Sequence, residues 1–455
     1  YGCRYEQYLL ANDPTLLDEL KRLMRQSSTN YDELALDYVQ AGLWQEASAI
    51  WAIAEEEHAT SAMTYFYTCD YAKAAKQSVE LCFPNRLEDV VALNRAKLSD
   101  NKSVQSKAAY LLGCLYYDKR QYDIAIENWE FSASLDASFP TVWRNLALAR
   151  LNKQGREQEA LECMERAFHL DESDSRILME LDQLYKRLQK PHAERLAFLQ
   201  RYPKLIGQRD DLVLEEITLL NQLGRYEEAL AKLDAHQFHP WEGGEGKVPA
   251  QYQFSRVELA KKILSSEHPQ SAQLDRAIEL LGQCLEYPVH LGEGKLYGAQ
   301  EQDFYYFLGC AYSAKGDQEK ARQCWEKAAE GNLEPAAAMY YNDAKPDKIF
   351  YQGLALQKLG NTAAANGKFY KLLNYGKQHL FEHQTMDYFA VSLPDLLIWD
   401  DSLDRKNEIH CKYMLALGYL GLGQCHKATQ FLNELQGLDI NHQGVQAMHT
   451  MMPRE

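Results

Sequence analysis

The sequence predicts an all-α protein, a right-handed superhelical solenoid of about ten stacked helix pairs. At 455 residues the chain is too long for one compact core, because single cores stop growing near roughly 250–300 residues. Only 13 Pro and 25 Gly interrupt it, which favours helices over many short strands. One spacing of apolar and small residues also recurs along the chain, and a fixed period is typical of repeat architectures.

Composition and charge narrow the class of protein. With 46% hydrophobic and 25% charged residues the chain is expected to be ordered. It carries 65 acidic and 49 basic residues, a net charge of −16, which opposes binding to nucleic acid and to anionic membranes. We find neither a membrane-spanning apolar run nor a signal peptide, so we expect a soluble cytoplasmic protein. Because the sequence begins with Tyr1 rather than Met, we also expect a piece of something longer.

The cysteines give no sign of a metal site or a redox motif. There are ten, and none forms a CxxC pair. Cys114, Cys163, Cys310 and Cys324 lie among apolar helical residues, where they are expected to be small buried hydrophobic side chains. We therefore predict no cofactor and no bound metal.

The clearest copy of the repeat covers residues 302–331. Its spacing is that of the tetratricopeptide repeat, a helix–turn–helix of about 34 residues in which a small residue lets the two helices pack closely. The matching positions are Tyr305, Leu308, Gly309, Tyr312, Gly316, Ala321, Trp325 and Ala328.

Six further copies follow the same pattern. Four keep the spacing, at residues 35–54, 112–132, 353–369 and 416–432. Two are irregular, at 143–167 and 220–233, because a residue is inserted between their helices. The segments 59–98, 175–203 and 250–287 are amphipathic at helical period and are interpreted as degenerate repeats. We therefore predict a solenoid over residues 28–440, with caps at 1–27 and 441–455.

Binding along an inner groove is the expected activity of such a solenoid. The fifth position of the first helix, which faces the groove, is Tyr110, Tyr306, Phe350 or Tyr413 in four copies. These aromatic residues are either ligand contacts or simply common at that position. The Lys, Asn and Arg needed to clamp a C-terminal carboxylate are absent from the corresponding positions, where Tyr110, Cys114 and Asp118 stand.

Four long inter-repeat loops are candidates for a site, since long ordered loops in compact arrays often carry function. They cover residues 238–251, 287–303, 333–348 and 379–408. The first two share the sequence Gly-Glu-Gly-Lys, beginning at Gly244 and Gly292. Because loops at equivalent points of successive repeats emerge on one edge, we expect these two to be neighbours.

We predict that this loop edge is the functional site. The candidate residues there are Trp241, Glu242, Glu245, Lys247, Glu293, Lys295, Tyr340, Tyr341, Asn342 and Asp343. Aromatic rings beside carboxylates and amides are typical of sugar-binding surfaces. The alternative is that the loops only brace each other or pack on neighbouring repeats.

Three enzyme-like patterns are weak. Lys247 and Lys295 are followed by Val and Leu, where a phosphate-binding loop needs Ser or Thr for Mg²⁺. Residues 379–383 match the HxxEH zinc pattern, but no third ligand is identifiable. Asp400 and Asp401 are adjacent and therefore cannot flank one glycosidic bond. The chain is predicted not to be an enzyme.

Five loop segments are distinctive: 82–86 (CFPNR), 139–146 (FPTVWRNL), 239–247 (HPWEGGEGK), 340–343 (YYND) and 387–395 (DYFAVSLPD). With them the chain resembles, from about residue 37 to residue 422, the C-terminal tetratricopeptide-repeat region of large bacterial proteins that carry an N-terminal β-rich domain of unknown function. The resemblance implies a bacterial cytoplasmic protein linked to carbohydrate metabolism, without its N-terminal domain here. It assigns no catalytic residues.

Two functions are therefore predicted from the sequence. The first is a non-enzymatic binding module or scaffold that recognises a partner protein or the missing N-terminal domain of its own chain. The alternative is an accessory region of a carbohydrate-active protein whose loop edge contacts a glycan. Neither nucleic acid nor membrane is expected as a partner.

Overall fold

The computed structural model describes residues 1–337, 343–385, 398–449 and 451, and its regular elements within these ranges are all helical. The prediction of an all-α helical-repeat fold is confirmed. The chain divides into two compact units, unit 1 (Tyr1–Glu172) and unit 2 (Ser173–Glu455). None of the helices in the described part combines the length and the apolar character that a membrane crossing requires.

Unit 1 is a series of antiparallel helix pairs preceded by two short helices. Its helices are α1 (Gly2–Ala11), α2 (Pro14–Met24), α3 (Ser28–Gln40), α4 (Trp44–Glu56), α5 (Ala62–Tyr67), α6 (Tyr71–Ala74), α7 (Leu87–Ala96), α8 (Lys102–Asp118), α9 (Tyr122–Leu135), α10 (Pro140–Gln154) and α11 (Glu157–Leu170).

In its described residues, unit 2 contains six further helix pairs, one four-residue helix after the first pair, and a final short helix. Its helices are α12 (Ser175–Arg187), α13 (His192–Leu199), α14 (Pro203–Ile206), α15 (Asp210–Gln222), α16 (Tyr226–Ala235), α17 (Lys247–Leu264), α18 (Ser271–Gln283), α19 (Gln302–Ala314), α20 (Gln318–Ala329), α21 (Pro346–Lys358), α22 (Thr362–His379), α23 (Leu403–Gly421), α24 (Cys425–Leu438) and α25 (Gln443–His449). A 3₁₀ turn, Val289–Leu291, lies between α18 and α19.

The small residue of the repeat pattern lets an aromatic ring pack directly on the first helix of a pair. A Cβ at Gly309 would lie 2.3 Å from Nε1 of Trp325, and a Cβ at Gly113 would lie 2.4 Å from the ring of Trp129. The Trp325 indole also donates to the carbonyl oxygen of Tyr306 at 3.3 Å. The same glycine–tryptophan contact therefore joins α19 to α20 and α8 to α9.

The turn inside each pair uses left-handed backbone. Gly316, between α19 and α20, has a φ of 91°, which glycine adopts without steric strain. The equivalent position between α8 and α9 is Arg120, with a φ of 59°. A side chain is therefore held there in a conformation that other repeats give to glycine.

The segment 59–98 departs from the helix pair expected of a degenerate repeat. It forms α5 and α6, helices of six and four residues, before α7. Cys69 has a φ of 58° and ends the first of them. Asp70 then caps the second by accepting from the backbone N–H of Lys73 at 3.1 Å. A left-handed residue followed by a new N-cap prevents one continuous helix.

The first and last helix pairs of unit 2 are in contact. The Trp399 side chain, 3% exposed, donates from Nε1 to the carbonyl oxygen of Glu180 in α12 at 3.0 Å. Gln189, just after α12, donates to the carbonyl oxygen of Leu438 at the end of α24 at 2.5 Å. The series of helices in unit 2 therefore closes on itself, with its first pair in contact with its last.

Candidate functional site

A cavity of about 900 Å³ lies within unit 2. Its walls come from the first helices of four successive pairs, α17, α19, α21 and α23, together with both Gly-Glu-Gly-Lys loops and α25. This volume is within the range of small-molecule and cofactor sites, about 300–1,000 Å³.

The two Gly-Glu-Gly-Lys loops form one wall and touch each other. The backbone N–H of Gly246 donates to the carboxylate of Glu293 at 2.7 Å. The backbone N–H of Phe238 donates to the carbonyl oxygen of His290 at 2.8 Å. Gly292 has a φ of 76°, and a Cβ there would lie 2.7 Å from the Phe238 carbonyl oxygen. The prediction that these loops are neighbours is confirmed.

Two buried ion pairs form part of the helical wall. Glu258 accepts from Lys261 at 2.7 Å, one turn along α17. Asp303, at the start of α19, pairs with Lys348 of α21. Burial alone would lower the pKa of Lys348, but the charge of Asp303 beside it raises that pKa overall. For Lys261, by contrast, burial outweighs the charge of Glu258 and lowers the pKa.

Two tyrosines line the same wall. Tyr351 is 4% exposed and Tyr413 is 6% exposed. The Tyr413 ring lies 4.7 Å from the ring of His442, measured between centroids. A Cβ at Gly444 would lie 2.6 Å from the Tyr413 hydroxyl, so only glycine fits at that point of the opposite wall. The tyrosine pair is thus fixed between α21, α23 and the end of the chain.

The opposite wall is the return segment, which we define as residues 438–449. Inner-surface side chains bind its backbone: Gln222 donates to the carbonyl oxygen of Asn441 and Lys261 to that of Ala447, each at 2.8 Å. Gln251 bonds the side chain of Gln443 at 2.9 Å. The helices of unit 2 therefore already hold one peptide segment, through both its main chain and its side chains.

Arg195 links the return segment to α12 and α15. The guanidinium, 0% exposed, donates to Asp182 and to Glu215, each at 2.6 Å, and to Oδ1 of Asn441 at 3.2 Å. Burial opposes ionisation of Glu215, but Lys186 and Arg195 lower its pKa to about 2. A charged network therefore anchors one end of the return segment.

The loop residues predicted from the sequence are only partly gathered at this cavity. Glu245 and Glu293 line it. Lys295 instead pairs with Glu301 and donates to the carbonyl oxygen of Leu285 at 2.9 Å. The Trp241 indole lies over its own loop, because a Cβ at Gly244 would be 2.2 Å from the ring. The predicted loop cluster is thus divided between the cavity and local packing.

The remaining loop candidates are placed as follows. Lys247 is the first residue of α17, and Glu242 precedes it in an exposed part of the loop. The carbonyl oxygen of Asp343 accepts from Gln300, a cavity residue, at 3.1 Å. Tyr340, Tyr341 and Asn342 fall outside the described residues.

The four predicted groove aromatics have different surroundings. Tyr413 lines the cavity. Tyr306 and Phe350 lie in the hydrophobic core of unit 2, with 9% and 1% exposure, so the Phe350 ring is not on a binding surface. Tyr110, in unit 1, packs its ring 4.8 Å from that of Phe139. Their role in binding remains a prediction, carried best by Tyr413.

Sequence reasoning missed several cavity residues. Asp303 and Lys348 stand at the last positions of two predicted loops, so loop ends were the available signal. Asp347 lies just before Lys348 in the same predicted loop, and the structure places both Asp347 and Tyr351 in α21. No pattern marked His442, because nothing local indicates which distant helices a terminal segment will contact.

The HxxEH pattern has ordinary polar contacts. His379 pairs with Glu382, and His383 bonds Asp404 at 2.9 Å. Within the described ranges, no three side chains of His, Cys, Asp or Glu are grouped so that they could hold a metal ion.

The comparisons with known proteins concern the fold. A family model described as tetratricopeptide repeat matches residues 302–330, which contain α19 and α20. This pair is a tetratricopeptide repeat. The chain is also similar to YrrB, "a TPR protein with an unusual peptide-binding site", at 15% identity over 52% of this chain and 90% of that one, with a TM-score of 0.27.

Two further solved structures are similar at the same level. A tetratricopeptide repeat protein from Parabacteroides merdae ATCC 43184 is 13% identical over 65% of this chain and 96% of that one, with a TM-score of 0.30. A human IFIT1 dimer with m7Gppp-AAAA is 14% identical over 90% of each chain, with a TM-score of 0.31.

Proposed function

We propose that this chain is a non-catalytic helical-repeat binding module whose unit 2 cavity holds a segment of a partner protein. The observation that carries the proposal is the return segment. Side chains of Gln222 and Lys261 donate to its backbone carbonyl oxygens, which every polypeptide offers. A surface that binds one main chain in this way is suited to bind another beside it.

The cavity supplies what such a partner would need. Its wall combines apolar rings with a small number of fixed polar groups, the usual composition of sites that orient a ligand. The buried pairs Glu258–Lys261 and Asp303–Lys348 hold charges in place before any partner arrives. Preorganised groups of this kind reduce the entropy lost on binding.

The glycan alternative has less support. One face of the Trp241 indole is covered by Gly244 of its own loop, so that ring offers a sugar one face at most. A bacterial source, a cytoplasmic location, a link to carbohydrate metabolism and a separate N-terminal β-rich domain remain predictions of the sequence resemblance.

A cavity-blocking substitution tests the proposal. The full chain is immobilised and challenged with a phage-displayed library of random heptapeptides. Gly294 lines the cavity with open space around it, so Gly294→Trp should fill the cavity without a clash. We expect peptides to be enriched on the parent chain, and at least tenfold less enrichment on Gly294→Trp.

Gly437 provides the matched control. It also has open space around it but lies in α24, away from the cavity residues, so Gly437→Trp should enrich the same peptides as the parent. The proposal is wrong if the parent enriches no peptide, or if Gly294→Trp and Gly437→Trp behave alike.

A further inference from the structure

The charges lining the cavity are unbalanced. Five acidic side chains line it with two lysines, a formal excess of three negative charges: Glu245, Glu258, Glu293, Asp303 and Asp347 against Lys345 and Lys348. Burial raises the pKa of Glu258, Glu293 and Asp303. Two histidines, His410 and His442, also line it, and burial lowers the pKa of both. They are therefore neutral near pH 7 and do not offset the carboxylates. Lys261, which pairs with Glu258 from outside the cavity lining, offsets only one of the three excess negative charges.

Two of these carboxylates, Glu245 and Asp347, have no partner among the described residues, and of the two only Asp347 is partly buried. Glu258 and Asp303 each pair with a lysine, whereas Asp347 has neither an ion pair nor a side-chain hydrogen bond among the described residues. It lies in the first turn of α21, ahead of Tyr351. After burial itself, the charge of Asp347 is the largest influence that raises the pKa of Tyr413. Asp347 and Tyr413 both line the cavity.

A second, independent observation comes from Tyr413. The residue is only 6% exposed, and it lines the cavity. Its hydroxyl has no hydrogen-bond partner within the part of the chain that the structure describes. A hydroxyl that faces a cavity takes its hydrogen-bond partner from solvent or from a bound ligand. A ligand N–H donor reaching the cavity would supply it.

We infer that the partner segment presents an organic cation, a lysine ammonium or an arginine guanidinium, to Asp347 and the hydroxyl of Tyr413. This inference rests on the proposed function. The cation neutralises the unpaired carboxylate, donates N–H to the hydroxyl oxygen and lies near the faces of Tyr351 and Tyr413. Low local dielectric strengthens the attraction.

The test uses the heptapeptides selected on the full chain. We expect them to be enriched in Lys or Arg, and a synthetic copy with that residue replaced by norleucine or citrulline to bind at least tenfold more weakly. Asp347→Asn should weaken the parent peptide at least tenfold, measured by calorimetry at low ionic strength. Tyr413→Phe, which removes only the hydroxyl, should weaken it about threefold.

Asp275→Asn is the charge-matched control. Asp275 lies in α18, outside the cavity lining, and pairs with Lys315. The Asp275→Asn substitution therefore removes one negative charge without altering the cavity. The affinity for the peptide should stay within twofold. If Asp347→Asn does not fold, the norleucine peptide and Tyr413→Phe still decide the matter.

The outcomes separate the two proposals. If the parent chain selects no peptide, the proposed function fails and this inference fails with it. If peptides are selected without basic residues, or bind Asp347→Asn as well as the parent, only this inference is overturned. If free cadaverine binds as tightly as the peptides, the cation site stands but its source is a small amine, and the polypeptide source is overturned.

Discussion

The two units satisfy their buried carboxyl groups in different ways. In unit 1, Asp32 is 6% exposed and accepts from Trp51 Nε1 at 3.1 Å and Thr64 Oγ1 at 3.0 Å, both neutral donors. In unit 2, Asp182 is 1% exposed and is bound by the guanidinium of Arg195, which is 0% exposed. Two similarly buried carboxyl groups are thus bound by neutral hydrogen-bond donors in unit 1 and by a charged guanidinium in unit 2.

The difference indicates where the molecule needs fixed charge. Buried ion pairs are poor contributors to net stability, because desolvation offsets their attraction, whereas a carboxyl held by neutral donors can simply be protonated. Unit 2 keeps its pairs beside the cavity and the return segment. We interpret the ion pairs of unit 2 as groups that position the side chains around the cavity and the return segment. Asp32, by contrast, needs only hydrogen-bond donors inside a hydrophobic core.

Breaking the Arg195 network should have the largest effect. Arg195→Met leaves Asp182 and Glu215 without their shared cation, and such a loss typically lowers stability by about 3–5 kcal/mol. Because Arg195 also bonds Asn441, hydrogen exchange in the return segment should accelerate. Urea unfolding and exchange mass spectrometry on the full chain measure the two effects.

Arg276→Met is the control for that substitution. Arg276 forms an exposed pair with Glu279, so its loss should change stability by less than about 1 kcal/mol. An Arg195→Met chain as stable as Arg276→Met would remove the basis of the comparison.

The pH dependence of unit 1 should come next in size. Burial raises the pKa of Asp32 to about 7, against 3.8 for an ordinary Asp, although hydrogen bonds from Thr64 and Trp51 oppose the shift. Its contribution to stability is therefore full below pH 3.8 and is lost as pH rises through about 7. Between about pH 5 and pH 8 we expect a loss of roughly 2–3 kcal/mol.

Asp32→Asn isolates that contribution. The amide mimics the protonated carboxyl, so the variant should lose about 2–3 kcal/mol less than the parent over the same pH interval in urea unfolding. Equal pH dependence in the two proteins would show that Asp32 is not the group responsible.

A smaller effect on stability concerns the turn inside a helix pair, which occurs at equivalent positions in the two units. Arg120 stands in left-handed backbone where the equivalent turn in unit 2 has Gly316. Arg120→Gly should stabilise the chain by up to about 1 kcal/mol, because glycine has no Cβ to strain there. Arg120→Ala keeps the Cβ and should bring no gain. Thermal unfolding compares the two, and an equal gain would contradict the explanation.

Much of the fold could be predicted because its signals are local. Gly309, Gly316 and Trp325 belong to one helix pair, and their spacing alone predicts a close helix contact and the turn between the helices. The shared Gly-Glu-Gly-Lys sequence likewise predicted that two loops touch, since each loop follows an equivalent point of its repeat.

The cavity could not be predicted in the same way, because its groups meet across long separations. Lys261 bonds the carbonyl oxygen of Ala447, 186 residues away, and Gln222 bonds that of Asn441, 219 residues away. Main-chain acceptors leave no mark in the side-chain pattern. Asp347 lies in the first turn of α21, and only its surroundings distinguish it.

The return segment also sets the conditions under which any partner binds. Being tethered, it reaches Gln222 and Lys261 at an effective concentration on the order of millimolar. A free peptide that needs those same donors competes with this internal ligand, so its apparent dissociation constant exceeds the intrinsic one. A partner that uses only the cavity beside the segment avoids the competition, and its apparent affinity equals its intrinsic affinity.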